Sequence, residues 1–431
     1  MSLPTVLIFV ILLLALTETP IFTVIAGLSI VSLYFVDYDW QSLQMILIEM
    51  NRLGSMPVLV ALPLFTLTGC LLTATEAPRR IMNFIQALMG WLPGGLAMAA
   101  LCSCAFFTAL TGASGVTIVA LGSLLYPILR QRTYTEKFSL GLLTTSGSLG
   151  LLFPPSLPVI LYGVVAQVNI QSLFTAALMP GLMLIVILCI YAFGHTLVYQ
   201  RSSAEARITE PFSWPKLTSA FVQSAWDWPI VLIIVLGVYG GFVTIAEVSA
   251  VVLLYVIVVE CLVLKEVALF KQMPGIMVEA AVLSGAIIII LGMALGFTGY
   301  LVDEQIPNRV LAFITGLSDN KYVFLAGLNI FLLAVGCIMD IFSAIVIVVP
   351  IIIPVALKFG IDPIHLGVIF LVNLEIGYST PPVGINLFIS SIRFQKPITL
   401  LYRASVPYLL LLLGALVLIT YVPVISLGLL R

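Results

Sequence analysis

Leu152-Phe153-Pro154-Pro155-Ser156-Leu157-Pro158 and Ser379-Thr380-Pro381-Pro382-Val383-Gly384 stand 227 residues apart, each in otherwise apolar sequence. The same offset relates Pro127 to Pro354. Ahead of each diproline lies a second interruption. It is Thr111-Gly112-Ala113-Ser114-Gly115 in the first half and Gly336…Asp340 in the second. A helix broken in lipid is costly unless its freed backbone groups line a protein cavity or hold an ion. Paired interruptions in corresponding halves point to the binding site of a secondary transporter.

The chain has 431 residues, 61% hydrophobic and 9% charged, with mean hydropathy +1.22. Soluble domains carry about 25% charged residues. The fold class is therefore an all-α polytopic membrane protein, and the longest polar stretch, Tyr199 to Lys216, leaves no room for a soluble catalytic domain. Net charge is −1, which gives no reason to expect nucleic acid. The N-terminus lacks the basic region and small-residue cleavage site of a secretory signal, so its first apolar run is expected to be a mature helix. The six cysteines lie in apolar segments without metal spacing and are expected to be small buried hydrophobes. With His195 and His365 far apart, no metal site beyond Na⁺ and no cofactor is expected. G-x-S-x-G, H-E-x-x-H and Walker patterns are absent from the sequence, which argues against an enzyme.

Apolar runs predict helices near 4–17, 20–36, 55–74, 138–153, 173–198, 227–243, 246–264, 276–300, 364–379 and 400–428. Runs 94–130 and 322–358 break in the middle into halves of about 25 Å at 1.5 Å per residue, which suits re-entrant helical hairpins. Residues 77–90 and 305–317 each begin with a proline, then an arginine, then apolar residues at helical spacing, as interfacial arms would. Thr68-Gly69 and Arg79 precede Thr298-Gly299 and Arg309 by 230 residues, close to the later offset. Placing the loops rich in Lys and Arg in the cytoplasm orients the two hairpins oppositely. The chain is thus read as an inverted-topology repeat with two hairpins, two broken helices, a polar joint near 200–225 and both termini periplasmic. Trp91, Trp214, Trp226 and Trp228 fall near helix ends as interface anchors, and Glu247 and Glu279 near helix starts as caps or lipid-boundary residues.

The chemistry is expected at the breaks. Freed carbonyls and the hydroxyls of Thr111 and Ser114 are hard oxygen ligands for Na⁺, and helix N-termini there attract carboxylates. Gly112 allows the tight turn. Ser146, Ser148 and Gly150 belong to the hydroxyl-rich run before the first diproline. Asp340, a carboxylate at membrane depth, defaults to function; it can also cap the following helix. With Gly336, Thr380 and Gly384 it is expected to hold a second Na⁺. Candidate substrate contacts are Ala113, Gly115, Pro154, Pro155, Ser343, Asn373, Pro381, Pro382 and Asn386. Glu375 could be a proton site, a pocket wall or a residue paired across helices.

Gly112-Ala113-Ser114-Gly115, Tyr126-Pro127, Pro154-Pro155-Ser156-Leu157-Pro158 and Thr380-Pro381-Pro382-Val383-Gly384-Ile385-Asn386-Leu387 together resemble the large membrane subunit of tripartite ATP-independent periplasmic (TRAP) transporters over nearly the full length. The resemblance implies an elevator mechanism and Na⁺-driven import of a carboxylate delivered by a periplasmic binding protein. It also implies a separate small four-helix membrane subunit and residence in the bacterial inner membrane. Its domain pattern would be scaffold helices over 1–76, an arm at 77–92, a transport half at 93–170, and scaffold and joint at 171–304. A second arm at 305–320, a second transport half at 321–392 and a C-terminal helix at 393–431 would follow. Family members often carry a second serine and an acidic residue in the first hairpin; Ala113-Ser114-Gly115-Val116-Thr117 implies greater reliance on carbonyls. The rival reading is a self-sufficient Na⁺/dicarboxylate symporter of related fold, which would transport without a binding protein.

Overall fold

The computed structural model describes residues 21–37, 44–131, 134–202, 212–241, 243–306 and 320–430, together with Arg309, Ala312 and Gly316. The predicted helix 4–17 and most of the second arm lie outside the described residues. Helices α1 (Ile21–Asp37), α2 (Gln44–Gly54) and α3 (Ala61–Thr73) lead into the arm, α4 (Ala77–Met89). Arm and preceding helix meet at 73°, with Pro78 in the first turn, where a missing N–H costs nothing. The first hairpin is α5 (Gly95–Thr111) and α6 (Ser114–Gln131). The first broken helix is α7 (Glu136–Ser146), a 3₁₀ turn at Leu149–Leu152 and α8 (Leu157–Ala166), bent by 46°. Helix α9 (Ile170–Ser202) closes this half.

Four helices join the halves: α10 (Trp214–Gln223), α11 (Trp228–Gly240), α12 (Ile245–Ile257) and α13 (Met273–Asp303). The second half then repeats the order. Its hairpin is α14 (Lys321–Ile338) and α15 (Ile341–Lys358), its broken helix is α16 (Pro363–Gly377) and α17 (Ile385–Phe394), and α18 (Ile398–Tyr421) closes it. The described residues form helices and turns only. They hold six helices long and apolar enough to cross a membrane, or up to nine with each bent pair taken as one span. Local signals set the starts. Thr135, Asn320 and Asp362 cap α7, α14 and α16 through their side chains, and Thr244 with Glu247 forms a capping box on α12. Glu279 lies within α13 and is exposed, so it does not cap that helix.

The halves interlock reciprocally. Helix α6 packs on α17 while α15 packs on α8, and α7 packs on α18 while α16 packs on α9. A two-fold relation between the halves produces this pattern. Ser148 Oγ donates to the Glu375 carbonyl at 3.4 Å, across 227 residues. Each touches its own repeat mate, which happens only beside the axis relating the halves. Two tight backbone approaches also correspond. A Cβ on Gly377 would lie 2.6 Å from the Gly336 carbonyl carbon, and one on Gly150 would lie 2.4 Å from the Ala109 nitrogen.

Several elements differ from the sequence reading. Helices α2 and α10 appear where no apolar run of spanning length exists. Helix α10 replaces the end of the expected polar joint, packing Phe221 against Phe84 on the arm. The run 246–264 stays α-helical only to Ile257 and finishes as a π-turn over Val258–Val263. The final helix stops at Tyr421 because Pro423 follows, rather than running to 428. Helix α9 packs on α5, α8, α16 and α18. The first hairpin breaks only at Gly112-Ala113; Ser114 and Gly115 already belong to α6.

Candidate functional site

At the first break, Gly112 takes a left-handed backbone (φ 68°) and donates its N–H to Thr108 O at 2.8 Å. Only glycine adopts this readily, and a Cβ would also strike Leu157 Cγ at 2.7 Å. The turn is thus seated on the start of α8. Thr108 Oγ1 donates to Gly147 O at 2.8 Å and lies 2.7 Å from Thr117 Oγ1, tying both hairpin arms to the broken helix. Thr111 and Ser114 are buried at the turn. Ser146 Oγ donates to Leu143 O and Ser148 Oγ reaches Thr145 O, both at 3.4 Å. Gly150 lies flush against α5. Gly115 faces Ile389, whose Cδ1 would lie 2.6 Å from an added Cβ.

At the second break, Asp340 caps α15. Its Oδ1 accepts the N–H groups of Phe342 and Ser343, each at 3.0 Å, and its Oδ2 accepts the Ser343 hydroxyl. The Ile341 N–H donates to the Tyr378 hydroxyl. Cys337 stitches the two interruptions together: its carbonyl accepts the Gly384 N–H at 3.0 Å and its thiol donates to Thr380 O at 3.3 Å. Thr380 Oγ1 donates to Ile376 O at 2.8 Å. Gly384 has φ 54°, and a Cβ there would meet Thr380 O at 2.7 Å. Gly336 packs on Gly377. Hairpin end and broken helix therefore form one bonded unit in each half.

The other expected residues divide by location. Pro154, Pro155, Pro381 and Pro382 sit at the broken-helix interruptions, with the Pro382 carbonyl taken by the Tyr402 hydroxyl. Asn386 reaches across to the first half, donating from Nδ2 to Thr144 O at 3.4 Å. Asn373 joins a buried amide ladder. Its Nδ2 donates to Asn329 Oδ1 at 2.7 Å, and Asn329 Nδ2 donates to Thr420 Oγ1 at 3.0 Å. Glu375 is fully buried. The structure adds Thr108, Thr117, Cys337 and Tyr378 to the site. Thr108 lies one turn before Thr111 on the same helix face, a spacing that could have marked it. The residues fit a small cation. Hydroxyls of Ser148 and Thr380 spend their protons on carbonyls and keep lone pairs free, and buried oxygens of Glu375 and Asn386 have no donor among the described residues.

A second polar cluster lies away from the breaks. Arg80 on the arm contacts Asp227 (3.0 Å), Glu260 (2.7 Å) and Glu266. The π-turn is the segment that carries Glu260. Arg79, its neighbour, is exposed and faces Glu76 at 3.7 Å. The three acids are scattered in sequence and come together only in the fold.

Apolar helices in two interlocked halves, each interrupted at a buried, oxygen-lined break, define a polytopic membrane protein of secondary-transporter type. The family described as tripartite ATP-independent periplasmic transporter, DctM component, matches residues 6–425. The chain belongs to that family and is a TRAP transporter large permease subunit, not an enzyme. It is 34% identical over 376 residues to the C4-dicarboxylate TRAP transporter large permease protein DctM of Pseudomonas aeruginosa, covering 86% of each chain. It is also 34% identical over 382 residues to the isethionate TRAP transporter permease protein DctMQ of Oleidesulfovibrio alaskensis, covering 88% of this chain but 59% of that protein. Identity to the ectoine/5-hydroxyectoine permease protein UehC of Ruegeria pomeroyi is 30% over 371 residues, covering 86% of this chain and 85% of that one. The fold resembles the Alcanivorax borkumensis YdaH transporter, with TM-score 0.64, 15% identity and 90% coverage of both chains.

Proposed function

We propose that this chain is the translocation subunit of a Na⁺-coupled importer of organic acids, such as C4-dicarboxylates or sugar acids. The acid is delivered by a periplasmic binding protein, and a small four-helix membrane subunit completes the assembly in the bacterial inner membrane, with both termini periplasmic. The observation that carries the reading is the pair of bonded helix breaks, which differ in charge. The repeat mate of Asp340 is Ala113. Helix α15 therefore already has an anion at its N-terminus and suits a cation nearby, whereas α6 begins at Ser114 beside a residue without a polar side chain. A substrate carboxylate is stabilised at the uncapped end. The Na⁺ ligands are drawn from Thr111, Gly112, Ser114, Ser146, Ser148 and Gly150 at one break and Gly336, Asp340, Thr380 and Gly384 at the other. The reciprocal packing of hairpins, broken helices, α9 and α18 supports their moving together as the elevator body, with α4 as a hinge arm. Each Na⁺ entering gains about 2.3 kcal/mol per 100 mV of membrane potential. The relatives named for C4-dicarboxylates support the substrate class.

The test is uptake into proteoliposomes holding this chain and its small partner, with an imposed Na⁺ gradient and with the binding protein added or omitted. Uptake should need both the gradient and the binding protein, and Asp340→Ala should abolish it. Na⁺-driven uptake by the chain alone would replace this reading with a self-sufficient symporter.

A further inference from the structure

The buried polar side chains left without partners around the second broken helix are almost entirely acceptors. Glu375 is 1% exposed, and neither Oε1 nor Oε2 has a hydrogen-bond partner among the described residues. Asn386 spends its amide nitrogen on Thr144 O and keeps Oδ1 unbonded. Because Thr144 O can only accept, the amide orientation is fixed. Ser379 Oγ, one turn beyond Glu375, is also buried and unbonded. These residues share one neighbourhood. The Asn386 N–H donates to Tyr378 O at 3.0 Å, and the turn from Thr144 to Ser148 touches Asn386 at one end and Glu375 at the other.

Among the described residues, the main charged and titratable groups on the elements around α16 are engaged elsewhere or exposed. Asp340 caps α15. Lys321 Nζ donates to Gly360 O at 3.1 Å. His365 bonds Ser426 and Thr420 through its ring, and His195 stacks on Phe138 at 4.2 Å. The hydroxyls of Tyr162 and Tyr408 donate to Pro363 O and Phe138 O. Lys358 and Arg403 are exposed. An ionised carboxylate buried without a positive partner is strongly unfavourable, and a buried unsatisfied group asks for an ion or water. Water leaves the charge uncompensated, and a proton serves one acceptor. A small cation neutralises the carboxylate and serves several acceptors together.

We propose that Glu375, Ser379 and Asn386 bind a Na⁺ ion additional to those at the two hairpin breaks. The inference rests on the Na⁺-coupling reading. The experiment measures equilibrium binding of radiolabelled Na⁺ to the purified chain in lipid nanodiscs, for the wild type and Glu375→Gln. The variant should bind one Na⁺ fewer per chain and show a smaller Na⁺-induced rise in melting temperature. Equal stoichiometry overturns the inference and leaves the coupling reading standing, whereas no Na⁺ binding in the wild type removes both. If the variant does not fold, the wild-type infrared spectrum decides. A buried carboxylate band that shifts on adding Na⁺ supports the site, and a protonated-carboxyl band indifferent to Na⁺ overturns it.

Discussion

Replacing Arg80 with alanine tests whether buried charge fastens the arm to the helices beside it. The side chain of Arg80 is 12% exposed, those of Asp227 and Glu260 are 5% and 1%, and that of Glu266 is 24%. Its guanidinium satisfies Asp227 through two contacts at 3.0 Å and Glu260 through one at 2.7 Å, and Nη1 donates to Glu266 as well. Removing one partner of a buried pair costs about 3–5 kcal/mol because the other charge stays buried. Here two deeply buried carboxylates are left facing each other, while the more open Glu266 contributes little. A loss of about 4 kcal/mol therefore follows for Arg80→Ala. Arg80→Lys keeps the charge but not the planar fork, and should fall between variant and wild type. Adding Glu260→Gln to Arg80→Ala should recover part of the loss, since it removes an unpaired charge. The assay is equilibrium unfolding in detergent, with limited proteolysis at Ala74–Glu76, the joint that the latch holds. A loss below about 1 kcal/mol for Arg80→Ala, the level of an exposed ion pair, would refute the reasoning.

Asp340→Asn keeps a capping oxygen and should leave the melting temperature nearly unchanged while suppressing Na⁺-dependent uptake; Asp340→Ala should also lose about 1 kcal/mol of cap energy, read from thermal unfolding. Gly377→Ala places a Cβ 2.6 Å from the Gly336 carbonyl carbon, and Gly150→Ala places one 2.1 Å from Ala105 O. Each should destabilise by about 1–3 kcal/mol in the same unfolding assay, whereas Gly414→Ala, with nothing within 4 Å, should not.

The repeat was legible because proline and glycine punctuate local backbone, and their effects do not depend on distant partners. Helix breaks at Gly112 and around Asp340 could be placed to within a residue or two for that reason. The arm was legible from its own amphipathic spacing. What the sequence hid is what arises between elements. Thr108 and Thr117 are ordinary helix residues until α7 brings the Gly147 carbonyl to them. Cys337, grouped with inert apolar cysteines, is the residue through which hairpin and broken helix exchange bonds. Asn373, expected near substrate, pairs with Asn329, 44 residues away. The partners of Arg80 lie 147 to 186 residues off, and local pattern carries no such information. Helices α2 and α10 were missed because their apolar content is too small for the spanning criterion.

The two-fold relation makes the departures from it informative. Backbone features are kept at mated positions: the diprolines, and the tight approaches of Gly377 to Gly336 and Gly150 to Ala109. Side-chain chemistry is not. The mates of Asp340, Glu375, Asn373 and Asn386 are Ala113, Ser148, Ser146 and Val159, so carboxylates and amides gather in the second half and hydroxyls in the first. Symmetry supplies two broken helices crossing at a common axis, and the sequence then places the carboxylates on one side of the crossing and hydroxyls on the other. In a low-dielectric interior such a division fixes where opposite charges sit. On the proposed Na⁺-coupled reading, cations would gain most beside Asp340 and Glu375, and a substrate anion would gain most at the unopposed start of α6. The polarity such a mechanism needs would then come from the few positions where the repeat is broken.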